Sequence, residues 1–209
     1  MQTAHPETVT DLVINGYVVL PLLAGADTIA IVLGTIVYNL GRYPRVAAKL
    51  HDELYSSNIH LHIPPKFVDV HNLPYMGAVI REALHIHPIS TFLSRRVIPT
   101  SDGLMLPDGI VLLPSTTVAI SPWLTHFNTQ VYGTDAENFN PKRWLKAADK
   151  PDLLYENKMR GMNRTDLAWG DGYRSYLGKN IAKCEMYKLI ATLYSVFDVS
   201  LLRIRFPGI

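Results

Sequence analysis

From Leu12 to Leu40 the chain carries a single charged side chain, Asp27. A helix that apolar is long enough to cross the hydrocarbon core of a bilayer. It equally suits the central helix of a large globular protein, which is apolar on all sides because protein surrounds it. Asn15, Gly16, Pro21 and Gly25 interrupt the run, and an acid in the middle of a lone span is costly and usually functional. Pro21 lacks a backbone donor and predicts a kink. Hydropathy alone leaves both readings open. Inside the helix, Ala24-Gly25-Ala26-Asp27-Thr28 sets small residues beside an acid and an alcohol. Small residues let a flat ligand approach the backbone, and an acid followed by an alcohol can relay protons in a water-poor site. A tight helix contact with a hydrogen-bonded acid explains the same residues more plainly.

The remainder reads as one mixed, helix-dominated unit. A second helix follows Tyr43-Pro44, with Val46, Leu50 and Leu54 at helical spacing and Asp52 and Glu53 on the wet side. Residues 56–72 read as a connector. A third helix runs from Leu73-Pro74 to just before Pro88, with Met76, Val79, Ile80, Ala83 and Leu84 apolar. Between Phe92 and Ile120, runs of Val, Ile, Leu and Thr broken by Ser101-Asp102-Gly103 and Pro107-Asp108-Gly109 predict strands with successive hairpin corners. Residues 122–170 look largely irregular, with a short helical patch near Trp123-Leu124. A last helix covers Lys179 to Val196, its apolar face being Ile181, Met186, Leu189, Ile190 and Leu193.

Composition excludes several functions. The net charge of +2, with scattered basic residues, argues against a nucleic-acid partner. One cysteine, Cys184, forbids an intramolecular disulfide. The sequon Asn163-Arg164-Thr165 is read as chance, because Met1 to Thr10 shows no signal-peptide pattern. The pairs His60/His62 and His85/His87 lack the further ligands that a zinc site needs.

Three more motifs carry chemistry. Glu82-Ala83-Leu84-His85 places an acid and an imidazole three apart on one helix face, able to form an ion pair only while His85 is protonated. In Phe139-Asn140-Pro141-Lys142-Arg143-Trp144, the guanidinium of Arg143 can reach back to Glu82 as a two-pronged donor. In the segment from Trp169 to Gly178, glycines around an exposed loop that opens a helix suit close approach to a large cofactor. It is not a phosphate loop, since Asn180 follows Gly178-Lys179 where a hydroxyl residue is needed.

The order and spacing of these four motifs resemble the C-terminal part of a cytochrome P-450 monooxygenase, most like filamentous-fungal enzymes of secondary metabolism. The resemblance runs from about Glu7 to Leu201. Ala24 to Thr28 resembles the oxygen-activating I-helix motif (segment 7–42). Glu82 to His85 resembles the Glu-x-x-Arg helix (segment 73–87), and Asn140 to Trp144 the Pro-Glu-Arg-Phe/Trp loop. Trp169 to Gly178 resembles the haem loop, leading into an L-helix-like segment 179–197. The resemblance implies a mainly α fold with small antiparallel β-sheets (α+β) over 1–209, one P-450-like domain without its N-terminal half.

It also implies haem, a lipophilic small-molecule substrate, an NADPH-dependent reductase and the cytoplasmic side of the endoplasmic reticulum. Asp27 and Thr28 would deliver protons. Gly25, Gly172 and Gly178 would shape the cofactor site, Arg96 and Arg174 would pair with haem propionates, and Glu82, His85 and Arg143 would form a structural network.

The chain departs from the family pattern at the centre of that chemistry. Tyr176 stands where the iron-ligating cysteine belongs. A thiolate pushes electron density onto iron, whereas a phenolate is the ligand of catalases. Cys184 lies eight residues further along the next helix, about 12 Å away at 1.5 Å per residue. His85 replaces the arginine of Glu-x-x-Arg, leaving Glu82 or Arg143 short of a partner, and Phe127 follows His126 where such enzymes commonly carry an arginine. The expectation is a truncated, catalytically impaired relative. The alternatives are a non-catalytic or Tyr176-ligated haem binder and a single-pass membrane or partner-binding remnant using residues 12–40.

Overall fold

The computed structural model describes residues 10–89, 93–99, 101–147 and 151–200, without the side chains of residues 20, 21, 94 and 174. Among those described, the order is α1 (Asp11–Arg42), α2 (Pro44–Ser56), α3 (Phe67–Val70), α4 (Pro74–Ile86), β1 (Ser94–Val97), β2 (Leu104–Met105), β3 (Val111–Leu112) and β4 (Thr117–Ile120). Then follow α5 (Pro122–His126), α6 (Thr129–Tyr132), α7 (Asp152–Thr165) and α8 (Lys179–Val196). Short 3-10 turns occur at Ile59–Leu61, Pro141–Trp144 and Gly172–Arg174. Among the described residues the fold is mainly helical with two small antiparallel sheets, as expected.

Helix α1 continues through Pro21. Its two halves have different fates. Val32, Ile36 and Leu40 are buried, together with Leu50 and Leu54 of α2, Met76, Val79, Ile80 and Ala83 of α4, and Met186, Ile190 and Ala191 of α8. Upstream, Leu12, Tyr17, Val18, Leu22 and Leu23 face solvent. The core therefore forms where α1 crosses α2, α4 and α8. A smaller second core joins Ala78, Tyr132, Ala136, Trp144 and Met162.

Helix α4 opens on Pro74, a favoured first helical residue. Its orphan N–H groups find a partner in α2: Glu53 accepts from the Tyr75 N–H at 2.7 Å and the Met76 N–H at 2.8 Å. Glu53 is thus half-buried and structural, not on the wet side.

Several other elements differ from expectation. β2 and β3 form a hairpin around Pro107-Asp108-Gly109, but β1 pairs with β4, Ser94 opposite Ile120. The Ser101-Asp102-Gly103 corner therefore links strands that do not pair. The described residues of 122–170 hold three α-helices; α7 carries no apolar stripe, since Met162 is its one fully buried residue. The inner face of α8 is Ala182, Met186, Ile190 and Tyr194, while Ile181 and Leu189 are exposed.

Candidate functional site

Around Glu82 the motifs converge as the spacing requires. Arg143, fully buried on the 3-10 turn after Asn140, donates from Nε to both Glu82 oxygens at 3.0 Å. Glu82 also accepts from the Asn140 N–H at 2.6 Å and the Trp144 indole at 2.7 Å. The remaining guanidinium donors of Arg143 meet the Tyr132, Asp135 and Asn138 carbonyls and an Asp135 carboxylate oxygen at 3.3 Å. Burial pushes the Glu82 carboxyl up to about 7, against the pull of Arg143 and the Asn140 and Trp144 N–H groups. Every donor around it suits the carboxylate.

The expected shortage caused by His85 does not occur. Other backbone and side-chain groups take the place of a third ion-pair member, so Glu82 and Arg143 are both satisfied. Nor does His85 pair with Glu82. Its Nε2 meets the Ala136 carbonyl at 3.0 Å, and its ring stacks on Tyr132 with centroids 4.3 Å apart. Burial depresses its pKa to about 4, with the charges of Arg143 and a protonated His126 acting in the same direction. A neutral imidazole fills the volume without asking for charge.

His126 was passed over in the sequence because a lone histidine before Phe127 carries no spacing signal. Fully buried, it donates from Nδ1 to the His85 carbonyl at 3.1 Å and accepts the Leu167 N–H on Nε2 at 3.0 Å. It thereby ties the end of α4 to the chain entering the loop at Trp169. Asp166 beside it bonds Arg81 of α4, whose guanidinium lies 4.0 Å above the Trp144 ring.

The loop from Trp169 to Gly178 is closed by the Tyr176 N–H donating to the Trp169 carbonyl at 2.8 Å. Gly172 has φ +63°, where a side chain would be strained. Tyr176 stacks on Trp169, centroids 6.1 Å apart and planes 11° from parallel. Its phenol also folds across Gly178: a Cβ at Gly178 would lie 2.7 Å from both Cζ and the hydroxyl. A mostly apolar cavity of about 260 Å³ lies between α1, α8 and this loop, lined in part by Thr28, Val32, Trp169, Tyr176 and Met186.

The other expected site residues are scattered. Thr28 lines the cavity, but its hydroxyl donates to the Ala24 carbonyl at 2.7 Å. Asp27 is exposed and is not among the lining residues. A side chain at Gly25 would meet nothing within 4 Å. Arg96 is exposed on β1 and donates to the Arg95 carbonyl. The side chain of Arg174 lies outside the described residues. Cys184, half-buried on α8, does not line the cavity.

The cytochrome P-450 family model matches residues 1–205, which takes in the acid–arginine pair, the loop and both long helices. The chain belongs to the cytochrome P-450 family. It is 36% identical to the cytochrome P-450 monooxygenase cfoH of Aspergillus candidus over 94% of this chain and 36% of that protein. Identity is 32% to the monooxygenase vrtE of Penicillium aethiopicum, over 94% of this chain and 37% of the relative. Pisatin demethylase of Fusarium vanettenii is 34% identical, over 93% and 35%. The chain thus spans about a third of the length of the curated relatives it matches. P-450 membership implies haem.

Proposed function

We propose that this chain is a cytochrome P-450 relative in which the haem-thiolate site has been lost. The ancestral reaction is oxygen insertion into a lipophilic secondary metabolite, with electrons from a reductase at the endoplasmic reticulum; those properties belong to the far longer relatives. The observation that carries the reading is Tyr176, which stands at the axial position with its phenol laid on Gly178 and stacked on Trp169.

The residues around the cavity do not fit the porphyrin. Among the described residues no cysteine lines it, and 260 Å³ falls below the range of about 300–1,000 Å³ usual for small-molecule sites. Arg96, one of the two cations expected at the propionates, is turned to its own strand. The acid of the proton-relay motif faces solvent. What persists is the scaffold around Glu82 and Arg143, which has a structural use of its own in the second core.

Tyr176 does line the cavity, which favours a phenolate-ligated haem binder as the second reading. Titrating the full chain with haemin separates the two. The first reading predicts no saturable one-to-one absorption change beyond that of a Tyr176→Phe control. A stoichiometric change that Tyr176→Phe abolishes would establish the second. Helix α1 is also long and apolar enough to cross a membrane, so a membrane-bound remnant remains a proposal tested by alkali extraction.

A further inference from the structure

A second cleft, of about 360 Å³, opens between α4, the Asp166–Gly170 segment and α8, and shares Trp169 and Gly170 with the cavity beside Thr28. Its charged lining is Arg81, Lys179 and Lys183 against Asp166. Arg81 spends its guanidinium on Asp166 at 3.2 Å and on Asn163. Lys179 and Lys183 make no ion pair among the described residues, although both are half-buried. They stand four apart on α8, where like charges repel. Three cations against one carboxylate leave an excess of two positive charges, and the positive end of α8 adds to it. Desolvation, then Lys179 and Arg81, lower the pKa of Lys183.

Concave surface with uncompensated charge is the arrangement that an anion relieves, and the size and sign of the excess identify it. A phosphate monoester carries about −1.5 to −2 at pH 7. The volume falls within the usual range for small-molecule sites, about 300–1,000 Å³. Trp169 and Tyr187, both half-buried, are among the other lining residues and offer rings to an organic portion. We propose that this cleft binds a small organic phosphate, its phosphoryl group held between Lys179 and Lys183 and its carbon skeleton against Trp169. The site needs no haem and stands whether or not the loop at Tyr176 takes one up.

The test uses the full chain in a non-ionic detergent, with phenyl phosphate, inorganic phosphate and phenol as probes and titration calorimetry with tryptophan fluorescence as readouts. Phenyl phosphate is expected to saturate at one per chain, inorganic phosphate to bind more weakly, and phenol not to bind. Lys179→Ala and Lys183→Ala should each weaken phenyl phosphate by about tenfold or more, the usual worth of a hydrogen bond to a charged group. Lys183→Arg should retain most of the affinity, which shows that charge, not folding, is what the alanine variant loses. Equal affinity in the double alanine variant, or no saturation at millimolar concentrations, would overturn the proposal. So would lysine-dependent adsorption to vesicles containing phosphatidic acid that free phenyl phosphate fails to displace, since that identifies a lipid surface as the source of the phosphoryl group.

Discussion

With Nε2 donating to the Ala136 carbonyl, the Nδ1 of His85 is a buried acceptor without a partner among the described residues. Protonation would turn it into a buried, unpaired donor near Arg143, His126 and Asp166. The folded-state pKa of about 4 lies below the unfolded value of about 6.5, so between these values the unfolded chain holds a proton that the folded chain does not. Stability from this residue is therefore fully present above about pH 6.5 and is lost as pH falls toward 4, by about 3 kcal/mol in all. Burial lowers His126 in the same direction. Urea unfolding at stepped pH should show this slope, and His85→Phe should flatten it; an unchanged acid limb would contradict a neutral, buried His85. Arg143 obeys the opposite logic. Arg143→Ala leaves the Glu82 charge uncompensated and should cost about 3–5 kcal/mol, read as a lowered urea midpoint. Arg143→Lys should recover only part, because an ammonium cannot supply the forked donors that Glu82, Tyr132, Asp135 and Asn138 accept. The pairing of Glu82 with Arg143 was legible in the sequence because each sits in a motif with its own punctuation. Tyr132, Asp135 and His126 were not, because they act mostly through backbone carbonyls and N–H groups, which leave no pattern in side-chain spacing.

Elements with one clean face were predicted well, and elements held by irregular contacts were not. α4 matches because all five of its expected apolar residues are buried. α8 shows the limit: a stripe through Ile181 and Leu189 and one through Ala182 and Met186 are equally plausible by hydropathy. The structure buries the second, with Ala182, Met186, Ile190 and Ala191 inside. α7 failed for the converse reason, being charged or polar on most sides with Met162 as its anchor. At this scale Glu53 is the informative residue, because it caps α4 from another helix. Glu53→Ala strips two N–H groups of their acceptor and should cost about 1–3 kcal/mol, with Glu53→Gln intermediate. Thermal melts followed by circular dichroism measure this; equal stability of the alanine variant would show that water serves α4 as well.

Across the whole molecule, the division of α1 decides behaviour. The sequence leads to the expectation that many of Val18, Leu20, Leu22, Leu23, Ile29, Ile31, Val32 and Leu33 face water. Val18, Leu22, Leu23 and Ile31 do, whereas Val32 is in the core, and the side chain of Leu20 lies outside the described residues. Removing residues 12–40 would therefore take out Val32, Ile36 and Leu40 along with the exposed surface. A contiguous apolar patch of this kind drives association. The full chain should self-associate or adsorb to lipid, and replacing Tyr17, Val18, Leu22 and Leu23 by polar residues should yield monomer with unchanged helix content. Sedimentation velocity distinguishes the outcomes, and monodisperse unmodified chain without detergent would contradict the expectation.

The central claim is that Tyr176 has ended thiolate chemistry at the axial position. Its most direct test is the reduced carbon monoxide spectrum of the haemin-treated unmodified chain, whose one cysteine is Cys184, compared with chain carrying Tyr176→Cys. The account predicts no strongly red-shifted thiolate Soret band while Tyr176 is present. A thiolate band from the unmodified chain would contradict it.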